Sequence, residues 1–500
     1  MNNLAFKNRY LTLGEGFYDK CKPVPVTQPE LIKFNHELAA ELGLSSADLD
    51  EPFLADVFSG NVIHDTCEPL AMAYAGHQFG SFNPQLGDGR AIYLGELDLV
   101  NGGSLDIQLK GSGQTPYSRN GDGRAALGPV IREYLLSEAM HKLHVPTTRA
   151  LAAVTTGEDV ARERLLPGGV ITRAASSFIR VGSFQYFSWK EDDQAIKALA
   201  DYVIARNYPA AAEAENPYVA LLDAVVERQA QLIAKWMQIG FIHGVMNTDN
   251  MSIAGETIDY GPCAFMDDYK HTKVYSSIDR QGRYAYSNQP SIGLWNLSRL
   301  AETLLPLFAE DSDAAVSMAK DMLHKYIAHY EAAWLAGMKA KCGLTASHGI
   351  NANDDKALIE SLLQILDENS ADFSLTFYYL SKLDAEPDNT SDDKDSALRN
   401  LFTNAAALDE WLIRWRQRLQ AENVSDTERQ HAMQQVNPVY IPRNHQIEAA
   451  IRAAEDHHDF APFHALFAVL QQPFTYQPGK DSYMQPPKPE EVVHKTFCGT

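Results

Sequence analysis

The spacing of apolar and polar positions divides the chain into a strand-rich first part and a helix-rich remainder. Ser104–Lys110 alternates strictly, with Leu105, Ile107 and Leu109 on one face and Asp106, Gln108 and Lys110 on the other, the mark of a half-buried strand. The turn signal Asn101-Gly-Gly103 precedes it, and Ala91–Leu97 before that reads as a second strand of a hairpin. Pro167–Phe184 is also strand-like. Helical spacing appears in Pro129–Leu143, where Pro129 suits the first helical position and Ile131, Leu135, Ala139 and Leu143 make one stripe. Tyr218–Ile239 reads as a long buried helix bounded by Pro217 and Gly240. Leu294–Leu305 and Ala314–Cys342 repeat with a 3.6-residue period, and Pro29–Leu42, stopped at Gly43, reads as a packing helix. These elements predict an α+β chain. At 500 residues it needs more than one core, and we divide it at 1–60, 61–190, 191–340 and 341–500.

Composition narrows the class. With 45% hydrophobic and 22% charged residues the chain reads as soluble and globular. No apolar run is long enough to span a bilayer, and the first residues lack the pattern of a secretory signal, so no membrane association and a cytoplasmic location are expected. A net charge of −22 disfavours nucleic acid as the main partner, although a local basic pocket can hold a nucleotide. The five cysteines are scattered without CxxC or zinc-ligand spacing. Their odd count speaks against a secreted disulfide scaffold.

The chemistry concentrates in Phe241–Ile253 and Ile258–Pro262, which read as strand–loop–strand with polar groups at one edge. His243 stands seven residues before Asn250, and Asp259 follows nine residues later in an Asp-Tyr-Gly triplet. Kinases space a catalytic loop, a metal-holding Asn and an Asp-Phe-Gly in this way. The catalytic Asp of a kinase would stand two residues after the His, where this chain has Val245. Valine accepts no proton, and Asp249 is the nearest carboxylate able to replace that base.

Other stretches fit the same site. Gln85-Leu-Gly-Asp-Gly-Arg90 precedes a strand; its Gly87 and Gly89 allow close backbone approach to a phosphate, or simply a tight turn. Lys110 ends its strand as the phosphate-pairing lysine of a kinase does, and the half-buried Glu133 on the Pro129–Leu143 helix is its natural partner. Gly111–Arg124, with Asp122 and Gly123 near its end, reads equally as a lid or a linker. Arg173 and Arg180 suit a phosphate clamp or surface ion pairs. His77 reads as a histidine that fixes its loop by hydrogen bonds.

Taken together, the stretches Gln85–Lys110, Asp122–Glu133, Arg173–Arg180, His243–Gly261 and Cys498-Gly-Thr500 resemble the SelO (selenoprotein O, YdiU-type) family, over nearly the whole chain. The resemblance implies a protein-kinase-like, two-lobed pseudokinase fold. It would have a β-rich lobe over 61–190, a helical lobe over 191–340, an N-terminal extension and a helical C-terminal extension. It implies ATP bound in reversed orientation and AMP transferred to Ser, Thr or Tyr hydroxyls of protein substrates, with UMP transfer from UTP also described for members. Gly87, Gly89, Arg90, Lys110, Asp122, Gly123, Arg173, Arg180 and Asp259 would contact the nucleotide. Asn250 and Asp259 would hold Mg²⁺ or Mn²⁺, Asp249 would be the proton acceptor, and Glu133 would orient Lys110. Cys498 matches the position of the family's C-terminal selenocysteine or cysteine. A redox partner acting there, or a bridge to Cys263, is the corresponding expectation. The alternatives are a kinase that transfers the γ-phosphate, which Val245 argues against, and a non-catalytic nucleotide-binding scaffold, which the Asn250/Asp259 and Lys110/Glu133 pairs argue against.

Overall fold

In the computed structural model the described residues are 4–44, 50–344, 352–386, 394–422 and 424–496. Ser104–Lys110 is a strand over the residues its alternation predicts, paired antiparallel with Ala91–Asp98 on one side and Leu165–Ala175 on the other. The sheet has eight strands. Its main path runs Tyr18–Lys20, Leu70–Met72, Ala91–Asp98, Ser104–Lys110, Leu165–Ala175, Arg149–Ala161, Glu30–Phe34, and the short Ala125–Ala126 pairs with the Leu165–Ala175 strand. One face, carrying Ile107 and Leu109, packs against Leu38, Leu42, Leu54 and Phe58 of the first helices. The other face, carrying Gln108 and Lys110, looks toward the helix Leu127–Lys142. The chain is therefore α+β, with helices on both faces of an antiparallel sheet.

The register matters for the site. Gln108 lies opposite Arg173 and Lys110 opposite Ile171. Directly opposed residues point to the same side of a sheet, so Arg173 shares its face with Gln108 and Lys110. That face is polar, yet Asp106 and Gln108 are buried.

Three of the expected elements need correction. Pro29–Leu42 is not one helix: Glu30–Phe34 is a strand, and only His36–Glu41 is helical. The strand completes the sheet edge against Arg149–Ala161. Asn35 breaks the segment by capping the helix, accepting from Leu38 N at 3.1 Å while its amide donates to Glu138 Oε2 at 2.8 Å. The strand of Pro167–Phe184 ends at Ala175, and Val181–Trp189 is a helix. In Phe241–Ile253 only Phe241–Ile242 is a strand. Its partner is Ala264–Phe265, and Thr248–Asn250 is a helical turn.

The remainder is helical. Pro217–Ile239 runs through its centre against Gln289–Phe308 and Ser312–Lys341. Gly240 closes it with φ +72°, a conformation that glycine adopts without strain, and the chain passes directly into Phe241. From the far end of the sequence, Asn444–His457 returns to the Leu127–Lys142 helix. Arg132 donates to Asn444 Oδ1 at 2.8 Å, and the Gly128 N–H donates to Glu455 Oε1 at 2.9 Å. Arg443, fully buried, pairs with Asp267 and Asp372. Among the described residues, no helix is long and apolar enough to cross a membrane. Cys498 lies outside the described residues.

Candidate active site

The sheet edge and the loop after Phe241–Ile242 enclose a cleft of about 880 Å³. Gly87, Gly89, Arg90, Lys110, Asp122, Gly123, Glu133, Arg173, Arg180, Asp249, Asn250 and Asp259 all line it, so the fold brings together every residue singled out above for the nucleotide, the metal and the proton.

A charge cluster forms the inner wall. Lys110 Nζ stands 2.7 Å from Glu133 Oε2 and 3.1 Å from Asp259 Oδ1. Arg173 Nη1 bridges the same two acids, at 3.1 Å to Glu133 Oε1 and 2.7 Å to Asp259 Oδ1, while its Nη2 donates to Gln108 Oε1. Burial opposes ionisation of Glu133 and Asp259. Lys110 and Arg173 overcome it at both, with Arg180 adding at Asp259. Glu133 is held below the usual carboxylate range and Asp259 well below it. Asp259 has φ +61°, and neighbouring bonds hold that backbone: Gly261 N–H donates to its carbonyl at 2.8 Å, and His243 Nε2 donates to the Ile258 carbonyl at 2.9 Å. His243 Nδ1 accepts from Val245 N–H, so the ring is neutral, and burial lowers its pKa.

Arg180 is incompletely satisfied. It is buried, its guanidinium stacks 4.4 Å over the Tyr74 ring, and its acidic neighbours Asp259 and Asp88 stand off at 3.6 and 3.8 Å. Its Nε has no hydrogen-bond partner among the described residues. A buried guanidinium with loosely held partners is a receptor for an anion. It caps the helix Val181–Trp189, and Val181 N–H donates to Met251 O while Ile253 N–H donates to Ile179 O. These bonds tie it to the Asp249 loop.

The glycines of the 85–90 loop have a packing role. Gly87 has φ +66°, and a Cβ there would lie 2.2 Å from the Tyr117 ring; one on Gly89 would lie 2.9 Å from the Tyr117 carbonyl. Their N–H groups donate to Tyr74 O and Gly87 O. Close fit against the Gly111–Arg124 loop therefore accounts for both. That loop is ordered by Asp122, which accepts from Arg124 N–H at 2.9 Å and pairs with Arg162 at 2.8 Å. Arg90, Arg119, Arg124 and Arg162 line this end of the cleft, a local cationic rim on a chain of net charge −22.

Asp249 lines another wall of the cleft. Its Oδ2 accepts from Gln78 Nε2 at 3.0 Å, and its buried Oδ1 has no partner among the described residues. Burial pushes its pKa up to about 6. Beside it, Asn250 Nδ2 donates to Val245 O at 3.0 Å, and no described residue donates to its Oδ1. With Asp259 Oδ2 this makes two hard oxygen donors without close protein partners, the donor type that Mg²⁺ and Mn²⁺ take.

Sequence reading missed Asp88, Arg162 and Gln78. Asp88 sits between Gly87 and Gly89, and that position is the one signal that could have found it. Arg162 and Gln78 reach the cleft through tertiary pairing alone. His77 does fix its loop: its N–H donates to Thr248 Oγ1 at 2.7 Å, and its ring Nδ1 accepts from Gln185.

The sequence model of the family described as protein adenylyltransferase SelO matches residues 1–471. A protein of Rhodopseudomonas palustris named protein nucleotidyltransferase YdiU is 57% identical over 499 residues, covering 100% of this chain and 99% of its own length. Proteins of the same name from Agrobacterium fabrum and Rhizobium meliloti are each 55% identical over 500 residues. They cover 99% and 100% of this chain and all of their own lengths.

Proposed function

The chain belongs to the protein adenylyltransferase SelO family, and on that premise we propose that it is a protein nucleotidyltransferase whose cleft binds ATP, or UTP, and passes the nucleoside monophosphate to a Ser, Thr or Tyr hydroxyl of a protein substrate. The observation that carries this reading is the inner wall, where three cations surround Asp259 and one of them, Arg180, lacks close partners. The fold would then be kinase-like and two-lobed, with Lys110 and Glu133 as its lysine–glutamate pair and the cleft between sheet and helices.

Lys110, Arg173 and Arg180 bind the phosphates and neutralise charge that develops at the attacked phosphorus. Glu133 holds Lys110 in place. Arg90, Asp122 and Gly123 bound the outer end of the cleft, with Gly87 and Gly89 shaping its floor. Reversed placement of ATP accounts for cations both deep in the cleft and at its rim. Asn250 and Asp259 would hold Mg²⁺ or Mn²⁺, which supplies further charge neutralisation on the phosphates. Asp249 takes the proton of the acceptor hydroxyl. The hydroxyl oxygen bonds to the α-phosphorus, the α–β phosphoanhydride bond breaks, and pyrophosphate leaves. Val245 removes the base that γ-phosphate transfer in a kinase uses.

The described end of the chain lies near this site. The Thr496 N–H donates to Tyr275 O at 2.9 Å and its hydroxyl to Pro262 O, beside buried Cys263.

Intact-mass analysis of the protein and a protein acceptor fraction, after incubation with ATP or UTP and Mg²⁺ or Mn²⁺, tests the reading. We expect AMP- or UMP-sized additions, reduced at least about 1,000-fold in Asp259→Ala. Phosphate-sized additions would make the protein a kinase instead, and an unaffected Asp259→Ala would remove the assigned metal and phosphate site.

A further inference from the structure

Three consecutive residues of one hairpin are bonded to three consecutive residues of the acceptor loop. The hairpin Gly76–Gln78/Ser81–Asn83 pairs Gln78 with Ser81 across a two-residue turn. Both turn residues have positive φ, Phe79 at +50° and Gly80 at +85°. Glycine tolerates this; a bulky phenylalanine does so at a cost, and such strain persists only where the surroundings over-determine it. Here they do. Phe79 N–H lies 3.1 Å from Asn247 Oδ1 and 3.2 Å from the Tyr284 hydroxyl, and the Tyr284 hydroxyl in turn donates to Asn247 Oδ1 at 2.6 Å. One residue back, Gln78 donates to Asp249 Oδ2 at 3.0 Å. One further back, His77 N–H donates to Thr248 Oγ1 at 2.7 Å, and that hydroxyl donates on to Gln185 Oε1.

The fit on the other side of Asp249 is equally specific. A Cβ on Gly76 would lie 2.5 Å from Asp249 Oδ1. One on Gly182 would strike the Ala75 carbonyl at 2.1 Å, so the helix that begins at Val181 presses the hairpin strand toward the loop. Asp249 is thus gripped between the Gln78 amide at one oxygen and the bare Gly76 backbone at the other. Among the described residues no cation forms an ion pair with it, unlike Glu133 and Asp259.

We propose that Gln78 is a positioning residue for the transfer reaction: the strained hairpin carries its amide to Asp249 and fixes the carboxylate in the orientation that meets the acceptor hydroxyl. This rests on the reading of Asp249 as proton acceptor. Gln78 makes no claim on the phosphates, so its loss falls on turnover and not on nucleotide binding.

The test is a double-mutant cycle in the full-length protein, with ATP and Mn²⁺ and AMP transfer followed by intact mass. Gln78→Leu removes the amide at nearly constant volume, and Gln78→Met serves where the first variant is poorly folded. Expected is a fall in kcat of about 10- to 100-fold with KM for ATP within about twofold of the parent protein. In an Asp249→Asn background the same substitution should cost nothing further, because a residue acting only through Asp249 has nothing left to position. Full additivity of the two losses, a rise in KM equal to the fall in kcat, or an unchanged rate for Gln78→Leu would each overturn the proposal while leaving Asp249 in its role. Undiminished transfer by Asp249→Asn alone would overturn the role of Asp249, and the proposal with it.

Discussion

On the inner wall of the cleft, Lys110, Glu133, Arg173 and Asp259 pair with one another; on another wall, Asp249 has one hydrogen bond from Gln78 and one oxygen with no partner among the described residues. Both walls are buried, so the difference is one of pairing. The cations hold Glu133 and Asp259 ionised at neutral pH, and the pairing fixes the cluster in one geometry, which suits a polyphosphate that must be held still. The single carboxylate is left basic, which suits a group that must take a proton and give it up again. A carboxylate without a close charge partner among the described residues therefore marks the reactive wall, and charge pairing marks the binding wall.

The sharpest way to break this comparison is to unpair the cluster. Glu133→Gln keeps the shape of the side chain but leaves Lys110 and Arg173 with Asp259 as their shared acid. Breaking a buried charge network in this way costs about 3 kcal/mol, so chemical denaturation should show a clear loss of stability together with slower transfer. Unchanged stability would mean that the cluster does not hold the wall together.

A second comparison asks whether missing partners mark function at all. Lys341, buried at the end of Ser312–Lys341, lies 4.4 Å over the Phe377 ring, and among the described residues no acid pairs with it. Burial lowers its pKa to about 7. An unfolded lysine keeps its proton to about pH 10.5, so between pH 7 and 10.5 the unfolded chain binds more protons and stability rises with pH. Lys341→Met should therefore stabilise the protein by roughly 2 kcal/mol at pH 6, with the gain shrinking toward pH 10 and transfer activity unchanged. A loss of activity would assign this lysine a role outside the cleft.

The smallest effect is expected at Glu256, which stands between Asn250 and Asp259 in the sequence. It accepts from Ser176 N–H at 3.1 Å and from Ser176 Oγ at 2.6 Å. Burial outweighs these bonds and pushes its pKa up to about 7. The folded state then binds the proton more tightly than the unfolded chain, and stability falls as pH rises from about 4.5 to about 7. Glu256→Gln should flatten that slope, gaining about 1 kcal/mol at pH 8 and nothing at pH 4.5. Thermal melts across this range would show it, and an unaltered slope would place the titration elsewhere.

Local pattern determined much of this protein. The alternation of Ser104–Lys110 defined a strand whose polar face holds Lys110. Pro129 and the stripe behind it defined the Glu133 helix, and the spacing from His243 to Asp259 picked out the residues that line the cleft. These are short-range facts, set by the periods of strand and helix and by where proline and glycine stop them. Local pattern failed at Pro29–Leu42, where helical spacing and edge pairing compete and the neighbouring Arg149–Ala161 strand decides for pairing. The tertiary structure alone brought Arg173 beside Lys110 through strand register, left Arg180 without close partners, turned Asp122 onto Arg162, and laid Gln78 against Asp249 across 171 residues of chain. No spacing rule spans such a distance. Register, packing of glycine against tyrosine, and the burial that sets each charge exist only once the elements have met.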